Sequence, residues 1–185
     1  MPDLIDHEFL SNLEGGSRLA GYVPAVNISK SGVTVATGFD FGQRNEGDLK
    51  VLGLTPNLIN ILKPYLGITG AQASELIRRA PLVLNAEQAK LIDKSVKSSH
   101  VSKLCIKYNA DVKGNLKFYD LPAEAQTVIA SVSFQYGVGL HIRAPKFWSS
   151  VIRQDWEAAI VQLKAFGDAY PTRRRKEAAL LETMK

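Results

Sequence analysis

A chain of 185 residues, 45% of them hydrophobic, is long enough to bury one core, or two small lobes that share a helix. Lysine and arginine outnumber the acids by 23 to 18, a net charge of +5, which suits an anionic partner such as nucleic acid, lipid headgroups or peptidoglycan without choosing among them. A single cysteine, Cys105, excludes an internal disulfide, and the three histidines, His7, His100 and His141, have no partner at metal-ligand spacing. No metal or other cofactor is therefore expected. The opening MPDLIDHEFL lacks a basic stretch followed by an apolar one, and no apolar run is long enough to span a bilayer, so neither an export signal nor membrane insertion is expected.

Ile5, Phe9 and Leu13 recur every four residues and Leu10 widens the stripe, which predicts a short amphipathic helix stopped by Gly15 and Gly16. Glu14 then falls in the last turn, where the unpaired carbonyls and the negative end of the dipole disfavour an anion. It is either a solvated residue at a frayed end or an acid kept for function. Clusters of β-branched and aromatic residues follow, predicting two strands at about Leu19 to Val23 and Val33 to Phe39 in a small hairpin region.

From Leu49 the helical period takes over. Thr55 and Pro56 open a helix that Pro64 closes, and Thr69 caps another that Pro81 ends. Asn85 and Gln88 form an approximate capping box for a long helix with Leu91, Val96, Val101, Leu104 and Ile106 on its apolar side. Cys105, between Leu104 and Ile106, reads as a buried structural thiol. LPAEAQTVIASVSFQYG, PKFWSSVIRQ, DWEAAIVQLKAFG and TRRRKEAALLETMK read as short helices broken by Gly and Pro. The basic run Arg173 to Lys176 reads as a solvated helix face. The whole is a mostly helical α+β protein, with a hairpin lobe, a long connecting helix and a helical C-terminal lobe.

Two separated blocks resemble the phage-type lysozymes, the T-even family of muramidases. One is Glu14 with its E-G pair, followed by the strand TVATGFDFG; the other is VIASVSFQYGVG with DWEAAIVQLKAFGDAYPTRRRKE. The resemblance implies a single lysozyme-like domain over 1–185, with lobes at about 14–85 and 108–185 joined by a helix at about 86–108, and helix 4–14 packed with the C-terminal lobe. Phage members commonly carry a second carboxylate nine residues beyond the acid, where this chain has Val23, and no acidic residue lies between Glu14 and Asp40. Asp40, six residues after Thr34, instead resembles the pesticin-like toxin branch. That pattern implies Glu14, Thr34 and Asp40 as catalytic residues.

Glycosidic hydrolysis requires one carboxylic acid to protonate the leaving oxygen and a second carboxylate to activate water or stabilise the oxocarbenium-like transition state. Asp40, flanked by Gly38 and Gly42, is the candidate for the second role, against the alternative of a turn aspartate satisfying local amides. Thr34 would hold the attacking water with it, and Thr37 ranks below Thr34 because a period of two puts it on the other face. The resemblance implies that Arg173 pairs with the acid and that Gln135 bonds the glycan. Tyr22 and Phe41 are candidates for stacking on sugar, while Trp148 and Trp156 read as packing residues. Glu46 and Asp48 lie in a polar loop that reads as solvated.

The resemblance implies a muramidase that cleaves the β-1,4 linkage between N-acetylmuramic acid and N-acetylglucosamine in peptidoglycan. The toxin-like pattern favours an antibacterial effector delivered to the periplasm by another system, with a periplasmic immunity protein as partner; a phage endolysin or a catalytically silent wall-binding module are the alternatives. No nucleic-acid partner is expected, because aromatics do not interleave the basic residues and no groove-binding motif is present. A monomer is expected.

Overall fold

The structure is a computed structural model that describes residues 3–14, 16–24 and 30–184. In chain order its elements are α1 His7–Glu14, β1 Arg18–Tyr22, β2 Thr34–Ala36, β3 Phe39–Asp40, α2 Glu46–Val51, α3 Pro56–Leu62, α4 Gly70–Arg79, α5 Ala86–Asp111, α6 Ala123–Tyr136, α7 Leu140–Arg143, α8 Pro145–Ile152, α9 Trp156–Lys164 and α10 Pro171–Glu182. The described residues are thus mostly helical, with one small antiparallel sheet. They divide into two compact units. One is Glu14–Ser99; the other joins the described residues up to Leu13 with those from His100 onward.

The unit Glu14–Ser99 holds the sheet, in the order β1-β2-β3. Tyr22 stands opposite Thr34, and Thr34 in turn opposite Asp40. The sequence predicted one strand where β2 and β3 lie. The break between them is a tight turn in which Gly38, at φ +109°, donates to the Val35 carbonyl at 3.1 Å and Ala36 takes φ +55°. An alanine in that region costs backbone energy that no local signal betrays, so the turn is held by its surroundings. Val33, Val35, Phe39 and Phe41 point into a core completed by Leu49, Leu58, Leu62, Ala73 and Ile92.

Several helix starts follow from sequence chemistry. Thr55 accepts from the Leu58 amide with Pro56 at the first helical position, and Asn45 and Asp48 form a reciprocal capping box on α2. Asn85 and Gln88 exchange bonds of 2.8 and 2.9 Å at the head of α5. Thr69 precedes α4 as expected, yet its side chain makes no capping bond. The expected stop after α1 is met by Gly16 at φ +93°, while Gly15 lies outside the described residues.

In the second unit Ile5 and Leu10 pack with Val101, Leu104, Tyr108, Val128, Phe147 and Trp148 in one core. Trp148 is buried there and donates Nε1–H to Asp111 at 2.9 Å, and Trp156 packs on the same cluster. Cys105 is buried, but Ile106, expected beside it on the apolar side, is 72% exposed. The buried face of α5 runs instead through positions 97, 101, 104, 105 and 108, which share one side at spacings of three and four.

The basic run also departs from expectation. Arg175 and Lys176 are exposed, but Arg174 is 2% exposed and Arg173 is half-buried. The cause is Glu177, fully buried on the same helix: Arg173 Nε pairs with its Oε1 at 3.2 Å, Arg174 Nη1 with its Oε2, and Ser131 Oγ donates to it. A buried carboxylate requires compensation of this kind, and it draws two guanidiniums inward.

Candidate active site

Glu14 closes α1, whose last turn carries no basic residue. Its carboxylate is held from α5: Lys97 Nζ lies 3.0 Å from Glu14 Oε2, with the two side chains 9% and 15% exposed. Oε2 is sealed from solvent and receives no aligned hydrogen bond, so its contact with Lys97 is an ion pair in the strict sense. What solvent access the Glu14 side chain has therefore belongs to its other atoms.

Within its own unit Glu14 has Lys97 beside it, a cation the sequence reading did not single out; the resemblance implied Arg173, which belongs to the other unit. Arg173 is engaged elsewhere: Nη2 donates to the Ser131 carbonyl and hydroxyl at 3.0 Å each, and Nε reaches Glu177. A signal for Lys97 did exist, because it sits on the same helical stripe as Val101, Leu104 and Tyr108. A lysine on an apolar stripe calls for a buried partner.

Asp40 is half-buried at the end of β3. Its Oδ1 accepts the amide of Gly32 at 2.9 Å and that of Gly42 at 2.7 Å. The two glycines cross there: a Cβ on Gly32 would lie 2.4 Å from Gly42 Cα, and a Cβ on Gly42 2.6 Å from Gly32 N. Gly42 thus serves a contact between two backbone segments. The local-amide alternative considered for Asp40 describes one of its oxygens.

Thr34 faces Asp40 across the β2–β3 ladder, but it is 3% exposed and its hydroxyl donates to the Gly32 carbonyl at 3.2 Å. Burial removes it from direct contact with bulk water, so it backs the Gly32 segment on which Asp40 also pulls. Thr37, in the turn, donates its amide at 3.0 Å and its hydroxyl at 2.6 Å to Asp93 Oδ1 on α5.

Of the two stacking candidates, Tyr22 remains. It is half-buried, with the Arg18 guanidinium 4.5 Å above its ring. Phe41 is corrected: it is fully buried, edge-on to Phe39 at 5.2 Å, and offers no face to a sugar. The alternation Phe39-Asp40-Phe41 already carried this signal, since a period of two sends both rings to one side and the carboxylate to the other. Glu46 bonds Lys50 at 2.8 Å and Lys63 at 3.0 Å, chiefly Lys50, which holds its carboxyl down at about 2; Asp48 is spent on the Asn45 amide.

In the other unit Gln135 lies in the last turn of α6, and its Oε1 accepts from Arg174 Nη2. Arg174 also reaches Asp168 at 2.9 Å and stacks on Phe166 at 4.4 Å. The expected glycan ligand is therefore tied into the buried arginine cluster. Among the described residues no group of three or more His, Cys, Asp or Glu is arranged to hold a metal ion, and no helix is long and apolar enough to cross a membrane.

In comparison with known proteins, residues 4–157 match the family described as pesticin, a bacterial toxin homologue of phage lysozyme, C-terminal part. The match contains Glu14, Thr34, Asp40 and Lys97 and ends before Arg173. No individual curated protein matches the chain.

Proposed function

The chain belongs to the pesticin family of bacterial toxin homologues of phage lysozyme, and on that premise we propose that it is a muramidase. Its substrate is peptidoglycan, and the bond cleaved is the β-1,4 linkage between N-acetylmuramic acid and N-acetylglucosamine. The observation that carries the reading is Glu14, a carboxylate with one oxygen sealed against Lys97. Glu14 is the general acid and Oε1 its working oxygen, because Oε2 is occupied.

Asp40 supplies the second carboxylate and Thr34 fixes its surroundings. Their places opposite one another on β2 and β3 support this assignment, since directly opposed residues of an antiparallel pair bring their Cβ atoms to about 5 Å. Gln135 and Arg173 enter as support for the fold around α6 and α10, and Tyr22 remains the aromatic available to a sugar. The net charge of +5 draws the protein to an anionic wall. The protein acts as an antibacterial toxin or effector in the periplasm, brought there by another system, as a monomer and with an immunity protein as its counterpart; a phage endolysin is the other setting for the same chemistry.

The test is release of reducing ends from purified peptidoglycan, with turbidity loss of outer-membrane-permeabilised cells beside it. Wild type is active, and Glu14→Gln loses about 10²–10⁴-fold, the usual worth of a positioned proton donor. No release by wild type at any pH from mild acid to neutrality would refute the proposal.

A second reading is favoured by one observation. Asp40 Oδ1 is committed to two backbone amides, as in an aspartate whose job is architectural. On that reading the protein is a silent wall-binding module, which sediments with cell walls and lyses nothing.

A further inference from the structure

Two charged residues of α5 are placed oddly for a helix. Asp93 and Lys97 are four apart, the spacing at which opposite charges pair along a helix surface. Here each turns to a different segment: Asp93 Oδ1 takes both donors of Thr37, and Lys97 Nζ takes Glu14 Oε2. Lys97 is 7% exposed on a stripe otherwise filled by Val101, Leu104 and Tyr108. Burying an ammonium there is costly unless a partner repays it, and a leucine would serve packing better.

Resting on the muramidase reading, we infer that Lys97 is the positioning residue of the general acid. The reaction gives this position its value. As the bond from the muramic C1 to the glucosamine O4 breaks, the Glu14 proton and the bonding electron pair go to O4. The hydroxyl of a water joins C1, and the second proton of that water passes to the Asp40 carboxylate. Glu14 is then a carboxylate 3.0 Å from an ammonium. An ammonium at that distance attracts the charged carboxylate more than the neutral acid, so Lys97 binds Glu14 more strongly late in the step than early, which is the condition for accelerating it. By occupying Oε2 it also leaves Oε1 as the oxygen that donates, and fixes its direction.

The experiment measures kcat and KM for soluble glycan fragments with wild type, Lys97→Met, Lys97→Gln and Lys97→Arg, with thermal melts of each. In Lys97→Met, kcat falls about 100-fold, the usual effect of a misplaced catalytic group, while KM stays within about twofold. Lys97→Arg recovers most of that loss, because it restores the charge at Oε2. The double variant Glu14→Gln/Lys97→Met is no slower than Glu14→Gln alone, because Lys97 acts through Glu14.

If Lys97→Met does not fold, Lys97→Gln replaces it, since its neutral amide can donate to Oε2 where methionine cannot; its kcat falls with KM unchanged. A folded Met or Gln variant with wild-type kcat overturns the inference while wild-type activity leaves the muramidase reading standing. A rise in KM at constant kcat also overturns it, and makes Lys97 a sugar ligand. Absence of activity in wild type itself sinks both.

Discussion

Replacing Asp40 separates architecture from chemistry. In Asp40→Ala the buried amides of Gly32 and Gly42 lose their acceptor, at 2.9 and 2.7 Å in the native protein. Each orphaned buried amide costs about 1–3 kcal/mol, so the variant loses about 2–6 kcal/mol. Asp40 is itself half-buried, so water entering the vacated space puts the value in the lower half of that range. Asp40→Asn keeps an oxygen with two lone pairs that both amides can use and forfeits the charge assistance, a loss of about 1–2 kcal/mol. Guanidinium unfolding gives the stabilities, and reducing-end release at matched folding gives the rates. The expected pattern is Ala unstable and inactive, Asn nearly stable and inactive. An Ala variant as stable as wild type would refute the energetic argument, and a fully active Asn variant would refute a catalytic role for Asp40.

Further substitutions probe the interior. Phe41→Ala should cost about 3–5 kcal/mol, the usual effect of emptying a buried aromatic site, whereas Phe41→Leu leaves KM for glycan unchanged; a raised KM at full stability would return the ring to the substrate. Glu177→Ala strips Arg174 of a buried counter-charge and should cost about 3–5 kcal/mol, while Arg174→Met/Glu177→Leu loses less than the two single changes summed, read from a double-mutant cycle in denaturant. His100 donates Nε2–H to Ser133 Oγ at 2.9 Å, because the serine proton is committed to the Ala130 carbonyl. Burial foremost, then Lys103, holds its pKa below the ordinary value. The unfolded chain therefore binds the proton first, and the stability tied to His100, complete above about pH 6.5, falls as pH drops below it. His100→Gln flattens that slope in unfolding experiments at two pH values, and an unchanged slope would exclude His100 as its source.

Much of the fold was legible where local chemistry decides it. Thr55 with Pro56 and the pair Asn85 and Gln88 announce helix starts through bonds made within four residues, and those bonds form. The division of β2 from β3 was not legible, because the turn at Ala36 is imposed by packing and by the Thr37 bonds to distant Asp93. The same distinction runs through the site. Glu14 and Asp40 are proposed from their spacing and the resemblance, while the alternation around Phe41 was readable though misassigned. Lys97 was hidden in a different way: its identity suggests a surface charge, and only the stripe it shares with Val101 and Leu104 argues otherwise. Arg174 looked like a member of a solvated run because its burial depends on Glu177, itself buried against Arg173 and Ser131 as well.

Cys105 bears on where such a protein can work. In the periplasmic setting proposed above disulfides form readily, and a single thiol there would be open to cross-linking with foreign cysteines. Cys105 is 7% exposed beside Leu104, with the Asn109 amide 3.4 Å from its sulfur. Burial pushes its pKa up, so the reactive thiolate is scarce as well as shielded. Burial and a raised pKa thus keep this sulfur reduced, a property suited to the oxidising periplasm proposed above as the place of action.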